Sequence, residues 1–159
     1  MSVAVRAARP DDAATVAGLV RDLAVYERLE HEAQATPADL EAALFGPQPR
    51  VFCDIAEVDG SIAGFALWFY TFSTFRGRHG IYLEDLFVKP EFRGQGAGKA
   101  LLRGLARRCV SEGLPRFEWS VLDWNEPSIA FYRAQGALLM KEWIICRVDG
   151  DALVALGTP

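Results

Sequence analysis

Cysteine is scarce in this chain: Cys53, Cys109 and Cys146 are the only three, odd in number and far apart. They make neither a disulfide framework nor a metal-ligand cluster, and buried free thiols are the expectation. Long apolar runs are missing too. The longest, residues 62–72, is broken by Gly64 and falls well short of the ~20 residues a membrane helix needs, so no membrane association is expected. Residues 1–6 lack the charged-then-apolar order of a secretory signal, and nothing resembles a transit peptide; a cytoplasmic protein is expected. There is no excess of positive charge. The 17 basic and 21 acidic residues leave a net charge of -4, which argues against a nucleic-acid partner and permits cationic ligands. Internal repeats, low-complexity tracts and interdomain linkers are also absent.

What is present suits a chain that buries a core: 159 residues, 51% hydrophobic and 24% charged. One domain over residues 1–159 is expected. Residues 3–9 alternate as a strand does, and Pro10-Asp11-Asp12 then offers a helix start. Val16, Leu19, Val20, Leu23 and Tyr26 follow at helical spacing. Thr36-Pro37 with Asp39 reads as the capped start of a short helix closed by Gly46. Residues 51–58 and 62–72 read as two strands joined at Asp59-Gly60, a hairpin signal. Residues 73–80 read as a loop and 81–88 as a further strand ended by Pro90. A long helix carrying Leu101, Leu105 and Cys109 runs to Gly113, and residues 117–122 read as a short buried strand. Asn125-Glu126-Pro127-Ser128 starts another helix, which ends at Gly136. Residues 138–148 and 151–156 are expected to form a last hairpin with Asp149-Gly150 at its turn. The predicted architecture is a single mixed α/β domain, a mostly antiparallel twisted sheet flanked by about four helices.

The segment richest in chemistry is Arg93-Gly94-Gln95-Gly96-Ala97-Gly98, between a strand and a helix. Glycines let successive backbone N–H groups converge on an anion, and the helix N-terminus adds roughly half a positive charge. A Walker loop needs glycine where Arg93 stands and Ser or Thr where Ala100 stands. A dinucleotide fingerprint needs a small residue where Lys99 stands, and an acidic residue about 20 positions on. Both patterns fail, which leaves a phosphate cradle of the form R-x-x-G-x-G.

That form resembles the pyrophosphate loop of the GNAT acyl-CoA transferases, and Asn125 to Gly136, with Phe131-Tyr132 inside it, resembles the end of a GNAT domain. Tyr26-Glu27, Tyr82-Leu83-Glu84-Asp85, Arg93-Gly94 and Trp124-Asn125-Glu126-Pro127-Ser128-Ile129 resemble more narrowly its spermidine/spermine and thialysine acetyltransferase branch. The likeness spans nearly the whole chain. It implies acetyl transfer from acetyl-CoA to a small primary amine by direct attack, with no metal and no covalent enzyme intermediate. An alkylammonium of pKa ~10.4 must lose a proton at pH 7, at a cost of roughly 4.6 kcal/mol, so a base is needed. The resemblance makes Glu84 that base, acting through water, and Tyr132 the acid that protonates the departing CoA thiolate. It assigns Leu86, Phe87 and Val88 to the pantetheine arm, Arg93 to Lys99 to the pyrophosphate, with the Arg93 charge at the loop. Asn125, Pro127, Ser128 and Tyr132 complete the CoA site. Acceptor contacts would come from Tyr26, Glu27, Glu84, Asp85, Glu142 and Trp143. Successive strand side chains point to opposite faces, so Glu84 and Asp85 can serve one pocket only if a bulge re-aims one. Members of this branch are commonly homodimers, and a homodimer is expected.

The chain departs from the branch in the loop after the long strand, where polyamine enzymes carry an aspartate and a tryptophan. Ser73-Thr74-Phe75-Arg76-Gly77-Arg78-His79 has neither and adds positive charge, which would disfavour a long polycation if these side chains face the site. A diamine or a lysine-like amino acid is therefore preferred to spermine. Three rivals stand beside this reading: a peptide or protein N-acetyltransferase, a CoA-binding regulatory module without chemistry, and a nucleic-acid binder using Arg93, Lys99, Arg103, Arg107 and Arg108. Retention of both Glu84 and Tyr132 weighs against lost chemistry, and the acidic total against nucleic acid.

Overall fold

Alternation at the start of the chain makes β1 (Val3–Ala7), and Pro10-Asp11-Asp12 forms the turn that opens α1 (Ala13–Tyr26). Asp12 is tied in place from two sides. Its carboxylate accepts the Arg9 backbone N–H at 2.7 Å and two Arg6 N–H groups at 2.7 and 3.1 Å, which holds its pKa below the usual carboxylate range. Arg6 also donates from Nε to Glu57 at 2.7 Å. α2 (Pro37–Phe45) starts as expected at Thr36, whose Oγ1 accepts the Asp39 N–H while Asp39 accepts the Thr36 N–H.

β2 (Phe52–Val58) and β3 (Ser61–Ser73) meet at Asp59 and Gly60, both with positive φ, 48° and 79°. This is the backbone that the Asp-Gly pair favours. β4 (Arg78–Val88) then pairs with β3 all the way to Ser73↔Arg78, so the connection is residues 74–77, shorter than the expected loop 73–80. A cross-strand edge-to-face contact of Phe72 with His79, ring centres 5.1 Å apart, accompanies the ladder in that stretch. Gly64 breaks the apolar run of β3 for a steric reason: a Cβ there would lie 2.3 Å from the Phe87 carbonyl oxygen. α3 (Ala97–Glu112) ends at Gly113 in the left-handed conformation, and β5 (Phe117–Trp119) closes the sheet. Helix α4 (Glu126–Ala134) and helix α5 (Gly150–Gly157) follow.

The computed structural model describes residues 1–159 and divides into two compact units, Met1–Leu122 and Asp123–Pro159. The first unit holds a five-stranded mixed sheet in the order β1-β2-β3-β4-β5, antiparallel except for β4 with β5. One face packs Val16, Leu19 and Leu44 of α1 and α2 onto Cys53, Ile55, Phe65, Leu67 and Phe87. On the other face α3 buries Leu101, Leu102, Leu105 and Cys109, and the Arg108 guanidinium lies 5.0 Å from the Trp68 ring centre. Cys53 and Cys109 are buried and unpaired as expected, burial pushing the Cys53 thiol up to about 12, whereas Cys146 is unpaired but exposed because it lies in the irregular segment of the second unit. No helix is long and apolar enough to cross a membrane.

Two expectations are corrected. β5 stops at Trp119 rather than 122 and is half-exposed at the sheet edge, not buried. In the second unit the expected hairpin is absent: residues 138–149 are irregular and α5 occupies the second arm. Asp149-Gly150-Asp151 serves equally as a helix start, since the Leu153 N–H donates to the Asp149 carbonyl, and Ala152 to Leu156 includes strong helix formers. A short apolar run does not distinguish helix from strand by its period.

Candidate active site

The loop before α3 has the form its glycines predict. Gly94 and Gly96 adopt φ of 75° and 89°, and the space a Cβ would enter at either is open. Gly96 is the N-cap of a 16-residue helix and brings no side chain to satisfy the first-turn N–H groups of Ala97, Gly98 and Lys99. Those donors and the helix dipole converge on the outside of the loop, an arrangement suited to a phosphate. Lys99 is exposed on the first turn, and Gln95 donates to the Glu91 carbonyl at 3.2 Å. Arg93, at the start of this loop, packs its side chain on neighbouring elements. Its Nε donates to the Val88 carbonyl at 2.9 Å, and its guanidinium lies 5.1 Å from the Tyr26 ring centre and 5.6 Å from that of Phe87.

The acidic pair sits where β4 is irregular. Leu83 is opposite Trp68 and Asp85 is opposite Leu67, so Glu84 is the extra residue of a bulge. A strictly alternating strand would place Asp85 on the face of Leu83, toward α3. The bulge instead turns it to the face of Leu67 and Phe87, which α1 and α2 cover. Glu27, which caps the C-terminus of α1, lies near enough to act on Asp85 electrostatically, as does Glu84. Burial first, then Glu84 and Glu27, push the Asp85 carboxyl up to about 7, and burial raises Glu27 as well. Glu84 itself is exposed.

β5 leaves β4 at the same place. Their pairing covers Ile81, Tyr82 and Leu83 only, so from Glu84 to Val88 the outer edge of β4 carries no strand and its backbone groups can pair with an extended ligand. Leu86, Phe87 and Val88 line this open stretch. Tyr82 and Ser120 mark its mouth, their hydroxyls 2.7 Å apart. Sequence reading assigned no role to Ser120 or to the Arg93–Tyr26–Phe87 stack, because each contact joins segments far apart in the chain.

The second unit carries the remaining expected residues. Asn125 is buried and caps α4, its Oδ1 accepting the Ser128 N–H at 3.4 Å, and Pro127 occupies the first turn. Tyr132 is buried on α4, with Phe131 at 5.5 Å. Glu142 and Trp143 lie in the irregular segment, both exposed. Thus the first unit assembles Tyr26, Glu27, Glu84, Asp85 and the glycine loop on neighbouring elements, while Asn125, Pro127, Ser128 and Tyr132 share α4.

The arrangement has counterparts. Residues 17–137 match the acetyltransferase (GNAT) family. Thialysine N-epsilon-acetyltransferase of Sus scrofa is 35% identical over 163 residues, 96% of this chain and 95% of the relative. L-ornithine N5-acetyltransferase of Arabidopsis thaliana is 32% identical over 197 residues, 96% and 86% of the two chains. An integron cassette protein from the mobile metagenome of V. cholerae superposes with a TM-score of 0.83 at 26% identity, over 100% of this chain and 99% of that one. With the family match over residues 17–137 and relatives aligned nearly end to end, this chain belongs to the GNAT family and is an acetyl-CoA-dependent N-acetyltransferase.

Proposed function

We propose that the chain transfers the acetyl group of acetyl-CoA to a primary amine of a small diamine, polyamine or lysine-like amino acid, by direct attack within a ternary complex. The observation that carries this reading is the β4 bulge, which gathers Glu84 and Asp85 near Glu27, beside the loop that suits the CoA pyrophosphate. Three carboxyl groups near enough to influence one another favour an ammonium ligand over a neutral or anionic one. Relatives named for thialysine and L-ornithine acetylation, both amino acids with a side-chain amine, point the same way.

In this reading Tyr26, Glu27 and Asp85 hold the acceptor, and Glu142 and Trp143 add contacts from the irregular segment. Glu84, the most exposed of the acids, receives the amine proton through water. The free amine then attacks the thioester carbonyl, the C–S bond breaks, and Tyr132 donates its proton or a hydrogen bond to the thiolate. Phenol to thiolate transfer is uphill by ~1.5 pKa units in water, about 2 kcal/mol, so a hydrogen bond suffices for part of the effect. The open edge at Leu86, Phe87 and Val88 takes the pantetheine arm, Gly94 to Lys99 take the pyrophosphate with Arg93 beside them, and Asn125, Pro127 and Ser128 complete the CoA site.

Positive charge after β3 does not bear on the choice of acceptor in the way the sequence suggested. Arg78 donates to the Gly113 carbonyl at the end of α3, and His79 contacts the Thr71 carbonyl. Both lie at the far end of β4 from Glu84, about 17–20 Å away at ~3.3 Å per residue. The preference for a short amine therefore rests on the acidic pocket and the relatives. Glu84→Gln tests the role of the base: the acidic limb of the kcat/KM pH profile should disappear while CoA affinity holds. An unchanged limb assigns the proton acceptor elsewhere.

A further inference from the structure

The Arg93 side chain touches three elements of the first unit at once. It belongs to the phosphate loop, its Nε bonds the carbonyl of Val88 at the end of β4, and its guanidinium packs on the ring of Tyr26, the last residue of α1. Phe87 supplies a second ring 5.6 Å away. A guanidinium held against aromatic rings keeps its in-plane donors available, and here only Nε is engaged by a hydrogen bond. An anion on the loop can therefore recruit the Nη donors without breaking the stack. The residue after Tyr26 is Glu27, whose charge reaches Asp85 at the bulge. Contacts thus run from the phosphate loop through Arg93 to Tyr26, and from the adjoining Glu27 an electrostatic influence reaches Asp85.

We propose that Arg93 is a positioning residue that couples the two substrate sites: occupancy of the loop by the CoA pyrophosphate fixes Arg93, Arg93 fixes the end of α1, and the acceptor pocket binds its amine more tightly. This rests on the small-amine reading for the second ligand, and on the phosphate loop alone for the first. The coupling is reciprocal, so the amine tightens CoA binding by the same factor. Planarity matters as much as charge. Lysine at position 93 keeps the charge for the phosphate and loses the flat face that packs on Tyr26 and Phe87.

The test reads two signals. By calorimetry, the ratio of thialysine Kd without and with saturating CoA should be about 5-fold or more in the wild type. It should fall to near 1 in Arg93→Lys and Tyr26→Leu and be restored in Tyr26→Phe, which keeps the ring. Taking the ratio within each variant cancels any direct loss of amine contact. By hydrogen exchange, CoA alone should slow the amides of residues 23–29 in the wild type but not in Arg93→Lys. CoA that protects only the glycine loop, or protects residues 23–29 equally in both proteins, overturns the coupling. Protection that depends on Arg93 in a protein that binds none of the amines sustains the coupling and removes the small-amine reading instead.

Discussion

Asp85 is the residue whose environment departs furthest from that of a carboxylate in water. Its carboxyl, pushed from 3.8 to about 7, keeps its proton in the folded state over a range in which the unfolded chain has lost it. Below pH ~4 both states are protonated, so the group costs nothing. As pH rises from 4 to 7 the native state binds the extra proton, so stability falls, and above 7 the full penalty is present. Asp85→Asn removes that penalty. Its stability relative to wild type should rise between pH 4 and 8 by about 2–4 kcal/mol, measured by urea denaturation at each pH. A constant difference across that range contradicts the burial and charge pattern at the bulge. Tyr132 makes a separate prediction. Tyr132→Phe keeps the ring on the buried side of α4, so CoA affinity should stay within about 3-fold while kcat falls ~100-fold or more, a split that a packing role would not give.

At the scale of elements, the glycine loop and the start of α3 are proposed to hold CoA through their backbone. Gly96→Ala forces a side chain into φ 89°, so a loss of about 1–2 kcal/mol in stability and a roughly 10-fold weaker CoA affinity are expected from thermal unfolding and calorimetry. Elements with local chemistry were legible from sequence. Thr36-Pro37 with Asp39, Asp59-Gly60, Gly113, and Asn125 with Ser128 each specify their turn or cap through neighbours a few residues away. What was not legible depends on contacts across the chain. Sequence reading could pose the need for a bulge at Glu84-Asp85, but whether one forms is decided by the register of β3 against β4. Likewise the left-handed glycine turn before α3 was readable and the orientation of Arg93 was not, since Tyr26 lies on another helix. The tail was misread because Asp-Gly-Asp serves a hairpin turn and a helix start alike.

At the scale of the whole molecule, the second unit leaves Trp143, Ile144, Ile145, Val154 and Leu156 exposed, more apolar surface than a monomeric protein commonly leaves in one short segment. This supports the proposed homodimer. Sedimentation should give twice the 17.5 kDa chain mass, and Ile144→Glu with Ile145→Glu should shift the protein toward monomer; a wild-type monomer at high micromolar concentration contradicts it. The family assignment spans residues 17–137. The most direct measurement is mass spectrometry of the purified chain incubated with acetyl-CoA and, separately, thialysine, ornithine, lysine, putrescine, spermidine, spermine and a short peptide. Acetylated product on one or more of the small amines, with CoA released in equal amount, is the predicted result. Product on the peptide alone, or on none of them while CoA still binds tightly, would contradict it.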